Sequence, residues 1–236
     1  MMDIGLLVSI ALVLAVPSVF VRPWPGAAVP SGVFDTSLGA LAVGLAVGRF
    51  TAVALDDPGS LGRINDLLVI RSGVEFWPGV VAGLSWLTLQ SRRDQVPVAR
   101  RLAALAPAAL IGWALYEATC LLRDGCPGPA AAIGLRPDGL TTRMFPVGLV
   151  VAVAAAAGAV LTHRIHRRGV RSSIVVVVAV GLVAAIRSVA SIWLPHIGDG
   201  LTRQHRASLA VLAIAIVILV VLVATGRRDN TRLVPG

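Results

Sequence analysis

The sequence predicts an all-α polytopic membrane protein, a seven-helix transmembrane bundle with its N-terminus outside and its C-terminus in the cytoplasm. Three observations carry that expectation. The chain is 56% hydrophobic and only 14% charged, with a mean hydropathy of +0.84, far from the balance of a soluble domain. Seven apolar stretches approach the ~20 residues needed to span a hydrocarbon core: 4–21, 37–55, 74–89, 102–122, 144–162, 172–194 and 207–225. The densest arginine clusters fall at alternating ends of these stretches, as the positive-inside rule requires.

Together the stretches take up most of the 236 residues, so residues 1–236 read as a single transmembrane domain with no room for a soluble one. All 21 basic residues are arginine, and the net charge is +9. Topology explains that charge better than nucleic-acid binding does. Arg92, Arg93, Arg100 and Arg101 join the third and fourth stretches, and Arg164, Arg167, Arg168 and Arg171 join the fifth and sixth. Arg227, Arg228 and Arg232 follow the seventh. The intervening connections carry Asp56, Asp57 and Asp66, then Asp124 and Asp138, then Asp199.

The first stretch starts from an acidic Met-Met-Asp rather than a basic n-region, so it reads as a retained helix and not a cleaved signal. Trp24 and Phe34 flank a Pro- and Gly-rich link suited to the membrane interface. In the second stretch Gly39, Gly44 and Gly48 let helices approach closely. Arg49 follows, either snorkelling to the interface or facing inward as a cation for an anionic headgroup.

The third stretch opens as RSGVEFWPG at 71–79. Its Gly and Pro residues predict a broken helix start, which membranes tolerate only within protein or around a cavity. Glu75 can pair with Arg49 or Arg71, or stay solvated, and Trp77 is also a natural interfacial belt residue. The fourth stretch carries Glu117, with Tyr116 beside it and Cys120 one turn on. Glu117 lies about 7 Å from the end of its helix at 1.5 Å per residue, shallow enough to be hydrated. Cys120 and Cys126 can form a disulfide on the oxidising side, although spacing alone does not fix its geometry. No histidine lies near enough in sequence to suggest a metal site.

The fifth stretch begins after Arg143 and is almost pure Ala, Val and Gly, and the run THRIHRRGVR behind it is topogenic. Arg187, in the sixth, is the deepest charge in the chain. Charge inside a bilayer is costly and marks function or an ion pair. Glu117, Glu75 and a lipid phosphate are its candidate partners. The seventh stretch is apolar between Ser208 and Thr225 and reads as scaffold.

With those residues in place, the order resembles that of the bacterial prolipoprotein diacylglyceryl transferase family over residues 38–219. Gly48-Arg49 before an acidic loop resembles the family's GR pair. GVEFWPGVVAG at 73–83 is similar to the glycine-rich opening of its third core helix. The segment 105–128, LAPAALIGWALYEATCLLRDGCPG, resembles its signature up to the last glycine, Gly128. Arg143 with Pro146 to Leu149, Ala185-Ile-Arg187 and Leu201-Thr-Arg-Gln204 resemble three later motifs.

The resemblance implies transfer of diacylglyceryl from phosphatidylglycerol to the thiol of a lipoprotein signal cysteine, with glycerol phosphate leaving, in the bacterial inner membrane. It implies a phospholipid substrate, a lipoprotein precursor or membrane-protein partner, and neither metal nor other cofactor. Arg49, Arg143 and Arg187 would clamp phosphate, since a guanidinium fork suits it. Glu117 and Arg187 would be catalytic. Glu75, Trp77, Gly79, Tyr116, Cys120 and Gly128 would line the pocket.

This sequence departs from the family at chosen places. Trp77 stands where the family has its histidine, Pro78 where it has glycine, Glu117 where its signature arginine opens, and Ser191 where it has an acid. These departures define a second expectation, a catalytically inactive relative that binds lipid or serves a membrane complex. A channel or transporter is disfavoured, because the intramembrane charges are few and the halves do not repeat.

Overall fold

The computed structural model describes residues 8, 11–13, 15–16, 33–60, 74–122, 128–136, 141–193 and 201–232. Among these residues the chain is dominated by α-helix. The delimited helices are α1 (Val33–Asp56), α2 (Phe76–Arg93), α3 (Val98–Ala118), α4 (Val147–Arg167), α5 (Ser172–Trp193) and α6 (Arg203–Arg232), and one strand, β1 (Ala130–Leu135), lies between α3 and α4. Five helices are long and apolar enough to cross a membrane: Asp35–Asp56, Val98–Ala118, Val147–Arg167, Ser172–Trp193 and Arg203–Thr225. They coincide with five of the seven expected stretches, which makes this a multi-pass membrane protein. Helix α2 occupies the third stretch but is not among the five; its second half carries Gln90, Ser91, Arg92 and Arg93. The first expected stretch falls largely outside the described residues; its described positions, 8, 11–13 and 15–16, are helical. The link 22–32 and the loop 61–73, with Asp66 and Arg71, also lie outside.

The chain divides into two compact units, Ala28–Arg101 and Met1–Ala27 with Leu102–Gly236. In the first, α1 and α2 pack against one another as an antiparallel pair. Glycine sets their distance: a Cβ on Gly79 would lie 2.7 Å from the Gly44 carbonyl oxygen, and one on Gly44 would lie 2.9 Å from that of Gly79. Side chains at the crossing would hold the two backbones apart.

The expected broken start is present. Val74 and Glu75 are non-helical, Glu75 has extended backbone (φ −72, ψ 113), and α2 begins at Phe76. Pro78 fits in the first turn, whose N–H groups have no intrahelical acceptor. The Glu75 N–H donates instead to the Gly48 carbonyl of α1 at 3.0 Å.

Helix α2 closes with a paired terminal motif. The Gln95 N–H donates to Arg92 O and the Val96 N–H to Ser91 O, the two bonds of a Schellman cap. Gln95 supplies the left-handed residue (φ 54) usually given to glycine. The α4 end repeats the motif with Gly169 (φ 71), through bonds from Gly169 N to His166 O and Val170 N to Ile165 O. Two of the arginine-rich connections therefore begin in tight, hydrogen-bonded turns.

In the second unit α4 packs on α5 and α5 on α6. Leu110 of α3, Ala159 of α4 and Ala179 of α5 share a buried core with Trp113 against it. A second cluster, Val147, Val151 and Ala190, is covered by Trp113, Phe145 and Ile186. Alanine at these positions permits close helix approach in a medium where apolar burial alone gives no drive. Large apolar side chains such as Val153, Ile192, Val217 and Val220 point outward, as lipid-facing residues do.

Residues 130–135, part of the polar loop expected after the fourth stretch, form a strand instead. The Ala131 N–H donates to Arg143 O at 3.0 Å and the Phe145 N–H to Pro129 O at 2.9 Å, tying β1 antiparallel to the segment that enters α4.

Candidate functional site

The residues expected to form one site fall into a cluster in each unit. In the first unit Arg49, Glu75 and Trp77 are each buried, at 8% exposure. Neither Arg49 nor Glu75 is a solvated surface charge. The backbone bond from Glu75 to Gly48 sets Glu75 beside the residue preceding Arg49. Gly48 permits this contact, since a Cβ there would meet Val74 Cγ1 at 2.6 Å and the Glu75 carbonyl oxygen at 2.7 Å. Trp77 stacks edge-on against Phe76, with ring centroids 5.2 Å apart. Gly79, also buried, lies at the helix crossing. This end of the pair thus holds a cation, an acid and an indole together at a break in the backbone.

In the second unit the Trp113 indole N–H donates to Glu117 Oε1 at 3.0 Å, one turn along the same helix. That bond fixes the carboxylate's direction, and Glu117 is half-buried. Tyr116, at 43% exposure, is not enclosed. Past Ala118 the helix tightens into a 3-10 turn, Thr119–Leu122, held by Thr119 Oγ1 donating to Tyr116 O at 2.8 Å. Cys120, in this turn, is buried and disulfide-bonded. Cys126, the chain's other cysteine, lies outside the described residues.

Gly148, in the first turn of α4, lies against this turn. A Cβ on it would be 2.9 Å from Cys120 Sγ and 3.3 Å from the Glu117 carbonyl oxygen. Gly128 is buried, and a Cβ there would collide with the Phe145 carbonyl oxygen. Its lack of a side chain lets the hairpin close on the entry to α4. Arg143 is exposed, and its carbonyl is engaged by β1.

Arg187 is half-buried on α5 and donates through Nη2 to Gln204 Oε1 of α6 at 2.8 Å. One turn along α5, Ser191 Oγ lies 2.6 Å from His205 Nδ1. The His205 N–H donates to Thr202 Oγ1 at 3.1 Å, so Thr202 caps α6 at its third residue. Ser208 Oγ donates to Gln204 O. Ser188, His205 and Ser208 are all buried.

Arg187, Ser191, Gln204 and His205 therefore form a polar seam between two apolar helices. Ile186, next to Arg187, packs in the same cluster as Trp113, the partner of Glu117. Phe145 meets Trp193 edge-on at 6.1 Å. The α3 end with Glu117, the α4 entry and the polar seam thus belong to one level of this unit.

No protein-family model matches the chain. No curated protein matches it in sequence.

Sequence reasoning located Arg187 and Glu117 but missed what holds them. Gln204 stands out in the sequence only within a turn motif, and Trp113 is signalled only by its spacing of four from Glu117, that of helical neighbours. In the sequence Ser191 marks only a place where the resemblance expects an acid. Nothing local in the sequence pairs His205 with a residue fourteen positions earlier. Among the described residues no three of His, Cys, Asp and Glu group as metal ligands.

Proposed function

We propose that the protein is a divergent diacylglyceryl-transferase-like membrane protein. It acts at the outer leaflet of a bacterial cell membrane, with seven spans, its N-terminus outside and its C-terminus in the cytoplasm. Its donor is a phosphatidylglycerol-like phospholipid and its acceptor the thiol of a lipoprotein precursor. The carrying observation is Arg187: a guanidinium retained on a spanning helix and aimed by Gln204 of the next helix, beside further polar groups. Charge in such a place is expensive and kept for function. A fork held in one direction suits a phosphate. The disulfide at Cys120 supports an outward-facing α3 end, since disulfides persist on the oxidising side.

In this reading Arg187 binds the headgroup phosphate and stabilises the charge that grows on it as the glycerol carbon–oxygen bond breaks. The acceptor attacks as thiolate, the reactive form of the sulfur. Glu117 takes the thiol proton, and its bond from Trp113 keeps one carboxylate oxygen oriented. The exposed Arg143 supplies further positive charge for the anionic lipid.

Two observations favour a second reading, a lipid-binding relative without turnover: Trp77 is buried where the resemblance expects a histidine, and Glu117 is engaged by Trp113. The test is transfer from phosphatidylglycerol to a peptide bearing a lipoprotein signal cysteine, using purified protein in phospholipid nanodiscs. A diacylglyceryl-peptide product lost in Arg187→Gln supports the transferase. Bound phosphatidylglycerol with no product supports the binder and refutes the transferase.

A further inference from the structure

The seam between α5 and α6 contains a pair that the transferase reading does not use. We propose that Ser191 and His205 form a nucleophile–base pair for acyl-ester cleavage on a membrane phospholipid.

The geometry is that of an activated hydroxyl. Ser191 Oγ and His205 Nδ1 are 2.6 Å apart, within the reach required of a nucleophile and its base. The two groups come from different helices, and each is held in place. Ser191 lies on α5, where its hydroxyl donates to the Ser188 carbonyl oxygen at 3.0 Å and can turn the same proton to His205 Nδ1 when that nitrogen is unprotonated. His205 is fixed through its backbone by the Thr202 cap at the start of α6 and is only 7% exposed. When the ring carries its proton on Nε2, Nδ1 accepts the serine proton.

A cation stands next to the pair. Arg187 is one turn before Ser191 on the same helix face, and Gln204, which orients it, adjoins His205 in sequence. A phospholipid whose phosphate meets Arg187 carries its glycerol esters only a few bonds away, toward Ser191. The outward side of this end is apolar, with Val189 51% and Ile192 60% exposed, a surface suited to acyl chains. The ligand class is therefore a glycerophospholipid with an ester-linked chain.

The reaction balances without a cofactor. Ser191 Oγ forms a bond to the ester carbonyl carbon while its proton passes to His205. The carbon–oxygen bond to glycerol breaks, and the glycerol oxygen takes that proton, releasing a lysophospholipid. Water, delivering one proton through His205, then cleaves the acyl-serine to a fatty acid and restores the hydroxyl. This inference rests on the preceding section only for the placement of a phospholipid phosphate at Arg187.

The test does not depend on that placement. The full-length protein in detergent is exposed to an alkyl fluorophosphonate: the serine oxygen bonds to phosphorus, fluoride leaves, and the proton goes to the histidine. Modified peptides are then identified by mass. The expected result is an adduct on Ser191, absent in Ser191→Ala and formed about 100-fold or more slowly in His205→Gln, the scale of a lost general base. Both variants are checked for wild-type elution and thermal midpoint, and Ser188, a buried serine of the same helix, is the internal control. No adduct on Ser191 in folded wild-type protein overturns the proposal, as does equal labelling of wild type and His205→Gln. Neither result touches the transferase reading, whose assay follows diacylglyceryl on a thiol.

Discussion

Replacing Gly79 by alanine is a direct test of how α1 and α2 are held together. The added Cβ falls 2.7 Å from the Gly44 carbonyl oxygen, 3.5 Å from the Gly44 carbonyl carbon and 3.7 Å from Gly48 Cα. Ordinary contact begins at 3.4 Å, so the helices must separate by about 0.7 Å, and the obstacle is backbone that cannot rotate away. A gap of that size forfeits roughly a quarter to a half of each dispersion contact along the seam. Overpacking of this kind costs about 1–3 kcal/mol. Alanine in place of glycine returns about 1 kcal/mol of helix propensity, leaving a net loss of up to about 2 kcal/mol. Gly181→Ala supplies the contrast: its Cβ would meet Ala215 Cβ at 3.5 Å, an ordinary contact, so the propensity gain stands alone. Unfolding midpoints in detergent should fall for Gly79→Ala and hold or rise for Gly181→Ala. A midpoint for Gly79→Ala that rises with that of Gly181→Ala would refute the close crossing of α1 and α2.

Three further outcomes are expected. Thr202→Ala removes the acceptor of the His205 N–H and should lower stability by about 1 kcal/mol, the usual worth of such a cap, while Thr202→Ser should restore it. Glu117→Gln keeps an oxygen acceptor for Trp113 and should unfold close to wild type, whereas Glu117→Leu removes that acceptor at a cost of about 1–3 kcal/mol; similar losses in both would show that the charge, not the bond, stabilises α3. Because Cys120 is disulfide-bonded, thiol alkylation of denatured protein should add two labels only after reduction, and labelling without reduction would contradict the bond.

What the sequence made legible follows the strength of each physical signal. Long apolar runs announce spanning helices with little ambiguity, because every backbone polar group must be satisfied within the segment. Five of them match spanning helices of the structure. Helix ends were less visible: α3 starts at Val98 and α6 at Arg203, several residues before the apolar runs, because the first turn of a helix accepts arginines and a cap. The broken start before Phe76 was legible from Gly73, Pro78 and Gly79, whose backbone limits are local. Strand β1 was not, since AAAIGL at 130–135 carries no alternation and is defined by its partner segment at Met144. Arg187 was found because charge in an apolar run is conspicuous. The pairing of Ser191 with His205 is not legible, because a serine in a helix and a histidine at a helix start are unremarkable until α5 and α6 are paired.

The central claim, that Arg187 holds a phospholipid for transfer, is tested most directly by one paired measurement on gently purified protein. Bound lipids are identified by mass spectrometry, and the same preparation is assayed for transfer to a signal-cysteine peptide, for wild type and Arg187→Gln. Loss of a charge-assisted hydrogen bond costs about 1.5–3 kcal/mol, so phosphatidylglycerol binding should weaken roughly 10- to 150-fold in Arg187→Gln, with product formed only by wild type. Equal phosphatidylglycerol occupancy in both proteins, with no diacylglyceryl peptide from either, would contradict the claim.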